Sequence, residues 1–166
     1  MEPEYRSIRR RERAKPQEWS AEVLAKGEYG FLATVGEDGL PHVIPISYAV
    51  MDNHIYFHCA HIGRKIDNIA HRNQVSFAVV GETQPVYDGG GFSTNYESVN
   101  VQGRAEVITD AAEKEKALLA LVDKYLPEYR HEAPASIEKN WKRTAVYRIS
   151  MDCVTGKQRT PTAKRD

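Results

Sequence analysis

Apolar positions change period along this chain. Over Gln17–Lys26, Trp19, Val23 and Leu24 form a partial helical face and Gly27 supplies a stop, which predicts a short helix. Beyond it, six segments read as strands: 31–35, 42–48, His54–Cys59, 75–80, 97–108 and 144–151. Gly36-Glu37-Asp38-Gly39 and Met51-Asp52-Asn53 separate the first three as turns, since Gly, Asp and Asn tolerate the positive φ of a tight reversal. Two helices interrupt the strands. Residues 63–72 place Ile66, Ile69 and Ala70 at helical spacing after Ile62. Residues 110–126 begin with Asp110 as a cap and Glu113 three positions on, the pattern of a capping box. Leu118, Leu121, Val122 and Tyr125 form the buried stripe of this helix, and Pro127 ends it. Residues 81–96, with Asp88-Gly89-Gly90-Gly91, read as a long loop and a candidate gate. The order predicts a mainly β protein, an antiparallel barrel or sandwich built from hairpins.

Composition narrows this little: 166 residues, 41% hydrophobic and 28% charged, suit one globular domain or one protomer of a dimer. No apolar run approaches the roughly 18 residues of a membrane span, and residues 1–16 lack the apolar segment of a signal peptide. Two cysteines, Cys59 and Cys153, make neither a disulfide framework nor a Cys-x-x-Cys site, so reduced thiols in the cytoplasm are expected. Charge is balanced at 23 basic and 23 acidic residues but is unevenly placed. Arg6, Arg9, Arg10, Arg11, Arg13 and Lys15 face one acid, Glu12, whereas 16–156 hold 13 basic and 19 acidic residues. The expected organisation is a basic arm over 1–16, one domain over 17–159 and a flexible tail over 160–166. The arm could touch nucleic acid, but the acidic body would repel a phosphate backbone, so packing on the body or on a partner is the preferred reading.

Several chemistries are missing. The chain has no Gly-x-Gly-x-x-Gly, no Walker-type loop, no Gly-x-Ser-x-Gly and no His-Glu-x-x-His. His54, His58 and His61 cluster, but His54 and His58 on one extended strand stand about 13–14 Å apart, too far for one zinc ion. No metal site is expected.

The segment Gly63-Arg64-Lys65-Ile66-Asp67 carries more. Two cations open a helix whose N-terminus is already partially positive, an unfavourable placement unless an anion binds there. A pairing of Arg64 with Asp67 at i, i+3 is the alternative. The strand His42-Val43-Ile44-Pro45-Ile46 contains a proline, which puts it at an edge, at a bulge or beside a ligand.

Together these residues resemble a known family. Phe31-Leu32-Ala33-Thr34, Gly39-Leu40-Pro41-His42-Val43-Ile44-Pro45-Ile46, Ile55-Tyr56-Phe57-His58-Cys59-Ala60 and Gly63-Arg64-Lys65-Ile66-Asp67 are similar, in order and spacing, to the pyridoxamine 5′-phosphate oxidase-like split-barrel proteins that bind FMN. The nitroimidazole-reductase branch is the nearest. Tyr96 to Glu106, Trp141 and Val154 to Gln158 continue the match. The resemblance implies a six-stranded antiparallel split β-barrel and a homodimer with FMN at the subunit interface. It implies that His42, Val43, Ile44, Pro45 and Ile46 run along the isoalloxazine, and that Gly63, Arg64 and Lys65 hold the phosphate. Phe57 and His58 would line the flavin or its ribityl chain, Ser98 would reach the cofactor, and Trp141 would close the site from the partner. Glu97 stands where the oxidase carries a basic residue, and the C-terminal pattern also differs, which argues against pyridoxamine phosphate oxidation. The expected activity is FMN-dependent oxidation–reduction of a small aromatic or nitroaromatic compound, with NAD(P)H as a candidate electron donor. The alternative is a non-catalytic flavin or haem binder, with His58 or His61 as the haem ligand.

Overall fold

A computed structural model describes residues 5, 7–87 and 89–160. In chain order the elements are β1 (Ala14–Lys15), α1 (Gln17–Lys26), β2 (Gly30–Val35), β3 (Pro41–Ile46), β4 (Ala49–Met51), β5 (His54–Cys59) and α2 (Arg64–His71). There follow β6 (Gln74–Tyr87), β7 (Phe92–Val107), α3 (Ala111–Tyr125), α4 (Ala133–Asn140), β8 (Ala145–Ser150) and β9 (Cys153–Arg159). Every pairing is antiparallel, as expected of a mainly β chain built from hairpins. The sheet has nine strands rather than six, and it runs β3-β2-β6-β7-β8-β5-β4 with β9 and β1 off that path, without closing. The additional strands are short or polar: β1 has two residues, β4 three, and β9 reads Cys-Val-Thr-Gly-Lys-Gln-Arg, with little alternation to mark it.

The split lies along β7. One edge of this strand pairs with β6 from Phe92 to Arg104; the other pairs with β9 over Tyr96 to Gln102 and then with β8 over Ala105 to Val107. Gly103 stands at the changeover, where a Cβ would overlap the Ser150 carbonyl oxygen. Only glycine lets the β8 end approach so closely.

Residues 81–96 are not a loop. The β6–β7 ladder continues past a bulge between Val80 and Thr83 and pairs as far as Tyr87 with Phe92. Pro85 is tolerated because this stretch of β6 has a neighbour on one side only; β2 pairs with β6 through Ser76, Phe77 and Ala78. The β4–β5 hairpin turns on Asp52 and Asn53, both at positive φ (48° and 58°), the geometry of a two-residue primed turn.

Alternation places Leu32, Phe77, Val79, Val99, Val101, Ile55, Phe57 and Ile149 in one core. Against it, α2 docks through Ile69 and the buried Asn68, whose amide donates to Thr34 Oγ1 at 2.9 Å. Asp110 caps α3 by accepting the Glu113 amide at 2.7 Å. The other half of the expected capping box is not formed. Glu113 instead accepts from Tyr56 Oη (2.9 Å) and Arg148 Nη1 (3.0 Å), binding α3 to β5 and β8. The described part of the basic arm lies on the body: β1 pairs with β9, and Tyr5 Oη donates to Asp152 at 3.3 Å. Residues 1–4, 6 and 161–166 of the arm and tail lie outside the described residues. Among the described residues, no helix is long and apolar enough to cross a membrane.

Candidate functional site

The chain folds a cleft of about 590 Å³ between β3, the end of β5, the start of α2 and the segment after α4. Ile44, Pro45 and Ile46 form its apolar wall, and His58, Cys59 and Ala60 its floor. Lys65 enters from α2, and Asn140, Arg143 and Thr144 from the far side. Being at the sheet edge, β3 pairs only with β2, so its second edge is open to a ligand.

Gly63 sets the approach of α2. It precedes the helix at φ 132°, a conformation that a side-chain-bearing residue rarely adopts. Its carbonyl accepts the Ile66 and Asp67 amides, leaving the Arg64 and Lys65 amides as the unpaired first-turn donors of a helix. The two cations then part company. Lys65 faces the cleft, whereas Arg64 turns to the β2–β3 reversal, its guanidinium 4.0 Å from Asp38. Asp67 is not its partner; Asp38, already fixed by accepting the Leu40 amide at 2.9 Å, is.

The remaining predicted residues are placed as follows. Ile44, Pro45, Ile46, His58 and Lys65 come together in the cleft; Gly63 and Arg64, next to Lys65 in the chain, do not line it. His42 and Val43 lie further along β3, Val43 being 57% exposed. Phe57 is fully buried and stacks on Tyr147, with centroids 5.5 Å apart, so it supports the floor from beneath. Ser98 lies on the outer face of β7, in a separate hollow of about 900 Å³ that it shares with Ala33, Ala78 and Asn100. The Trp141 ring packs away from the cleft under the Lys114 ammonium, 4.3 Å from its centroid. Asn140, Arg143 and Thr144, the residues around it, line the cleft instead and were not anticipated. The signal for Arg143 was the basic pair Lys142-Arg143 ahead of a strand.

Electrostatics suit an anion in the cleft. Lys65 and Arg143 are its two cations, and no acidic side chain lines it among the described residues. Arg143 is held by Asn140, whose Oδ1 accepts from Nη2 at 3.0 Å, and the Asn140 amide is held in turn by the Ser136 carbonyl at 2.9 Å. Burial, and then the Lys65 charge, hold the His58 imidazole below its ordinary range, so it is neutral at pH 7. Burial pushes the Cys59 thiol up, which leaves it protonated and a poor nucleophile. The arrangement can take an anionic ligand that also carries an apolar surface. Among the described residues, no group of three His, Cys, Asp or Glu side chains comes together to hold a metal ion.

Comparison with known proteins places the fold and the family. None of the curated proteins compared matches the chain. Among solved structures, the fold is similar to flavocytochrome Anf3 from Azotobacter vinelandii, with 25% identity and a TM-score of 0.79 over 96% of this chain and 75% of that one. It is also similar to an FAD- and haem-binding protein from Mycobacterium smegmatis, with 22% identity and a TM-score of 0.80 over 91% of this chain and 75% of that one. A candidate 5-nitroimidazole antibiotic resistance protein from Bacteroides thetaiotaomicron shares 22% identity and a TM-score of 0.72, over 86% of this chain and 84% of that one. The sequence profile described as pyridoxamine 5′-phosphate oxidase matches residues 16–158, and with that span covered the chain belongs to this family.

Proposed function

We propose that this protein binds FMN in the Ile44–Lys65 cleft and acts as an oxidoreductase on small aromatic or nitroaromatic compounds. One observation carries the reading: an apolar edge strand and two cations, Lys65 and Arg143, line one cleft that holds no acidic side chain among the described residues. That donor set fits a phosphorylated, flat ring system. The flavin- and haem-binding character of the similar structures supports the same choice.

Bound flavin would supply the electron-transfer chemistry, with NAD(P)H as the proposed donor. The chain's own residues do the rest. Lys65 and Arg143 bind the phosphate, with the first-turn amides of α2 beside them. Ile44, Pro45 and Ile46 orient the ring and exclude water from one edge. His58, neutral at pH 7, offers a ring N–H to an acceptor on the substrate. A homodimer belongs to the proposal, because Ser98 and Trp141 lie outside the cleft of their own chain and can serve such a site only from a second copy. Two free thiols suit a cytoplasmic setting.

A second reading, haem binding without catalysis, is favoured by His58, whose ring faces the cleft and makes no hydrogen bond among the described residues. Absorbance titrations of the full chain separate the two. FMN is expected to bind with a perturbed flavin spectrum, while a Soret band on haem addition with no flavin binding would favour the alternative. Lys65→Ala and Arg143→Ala should each weaken FMN about tenfold or more and riboflavin much less, since only FMN carries the phosphate. Equal losses for the two ligands would remove the phosphate assignment.

A further inference from the structure

A second cavity, of about 420 Å³, opens between α3, α4 and the β3–β5 end of the sheet. Leu118, Val122 and Tyr125 of α3 and Ile137 of α4 form its body. Three of its polar groups, His58, Asn140 and Thr144, also line the cleft described above and mark the end that faces it; Ser47 and Ser136 complete its polar lining. The two spaces therefore share a wall, and His58 stands in it.

Three features define what this cavity accepts. Among the described residues no Asp, Glu, Lys or Arg lines it, and His58 is held neutral, so a charged ligand would lose its hydration without a counter-ion. Its walls are incompletely covered by the protein: of the apolar stripe of α3, Leu121 is buried, whereas Leu118, Val122 and Tyr125 are only half-buried. Its polar end is built rather than incidental. The Thr144 hydroxyl donates to the Asn140 carbonyl at 3.1 Å, and the Asn140 side chain is fixed by Ser136 and Arg143. The volume suits a small aromatic molecule.

We infer that this α3–α4 cavity is the substrate pocket, and that it takes an uncharged aromatic molecule whose single polar end projects past His58 into the cofactor cleft. The inference rests on the flavin reading for what happens to the ligand, and on the cavity alone for its binding.

The test is equilibrium dialysis of the full chain, loaded with FMN, against 4-nitrotoluene and against its anionic counterpart 4-nitrobenzoate. The expected result is binding of 4-nitrotoluene at least tenfold tighter than 4-nitrobenzoate. Val122→Trp, which fills the cavity, should lower 4-nitrotoluene affinity at least tenfold and leave FMN affinity within twofold. Ile137→Trp on the opposite wall makes the same test should Val122→Trp fail to fold. No saturable binding of 4-nitrotoluene, or equal binding by wild type and the filled variants, would overturn the inference. Preference for 4-nitrobenzoate would overturn it too. If the protein takes up no FMN but still binds 4-nitrotoluene in a manner lost in the filled variants, the pocket stands and the cofactor reading falls.

Discussion

At the scale of the residue, the most telling groups are charged side chains whose surroundings were set by distant parts of the chain. Lys124 is one. Its ammonium is buried, has no hydrogen-bond partner among the described residues and sits 3.6 Å from the centre of the Tyr48 ring. The ring face replaces part of the lost hydration, but burial still holds the pKa down at about 8, against an ordinary 10.5. Below pH 8 the folded state bears the full cost of the buried charge. Between pH 8 and 10.5 the folded protein has shed the proton while the unfolded chain retains it, so stability rises with pH. Lys124→Met should therefore stabilise the protein at pH 7 by about 1 kcal/mol, allowing for solvent screening of a half-buried residue, and the gain should fade by pH 10. Urea midpoints at the two pH values check this; a loss of stability at pH 7 would show that the cation–ring contact outweighs burial. Lys65 was singled out by its place at a helix start and lines the cleft, whereas the orientation of Arg64 was not legible. Two neighbouring cations look alike in sequence, and only the turn carrying Asp38 separates them.

At the scale of the element, long periodic segments were legible and short or interrupted ones were not. The α3 helix was predicted within a residue at each end because cap, stripe and terminating proline agree. By contrast, α4 (Ala-Pro-Ala-Ser-Ile-Glu-Lys-Asn) has one large apolar residue, Ile137, and no amphipathic stripe to read. Its absence from the prediction hid Asn140 and one wall of the substrate pocket. The β6–β7 ribbon was read as a loop because Gly81, Pro85 and three consecutive glycines punctuate it. Pairing across the bulge overrides those local signals. The most sensitive position is Gly103, where the β7 edge changes partner. Gly103→Ala should destabilise by about 3 kcal/mol, since the Cβ meets the Ser150 backbone, which cannot rotate aside. Gly90→Ala at the ribbon tip, where a Cβ has open space, is the control, and equal denaturation midpoints for the two variants would refute the close-approach account.

At the scale of the whole molecule, the outer face of β2, β6 and β7 forms the 900 Å³ hollow, with the small side chains of Ala33, Ser76, Ala78 and Ser98 outward. Val43, Val80 and Leu40 are also exposed. Such a face suits a second copy of the chain, which would cover apolar surface and bring Ser98 towards a neighbouring site. Light scattering should report about twice the 18.8 kDa chain mass. An 18.8 kDa particle that still binds FMN tightly would show that each site is complete within one chain.

The order and spacing of motifs carried the resemblance to the family, and the sequence by itself determined the antiparallel mainly β class and the larger elements, because hydrophobic period and turn chemistry are local properties that survive without neighbours. It also marked β3 and the α2 start as the places to look for a ligand, since a proline in a strand and cations at a helix N-terminus conflict with local rules. Only the tertiary structure decided which side chains share a cleft. Lys65 and Arg143, some eighty residues apart in the chain, line one cleft, and His58 lines two cavities. Such meetings depend on how β7 divides its partners between β8 and β9, which leaves no periodic trace in the chain.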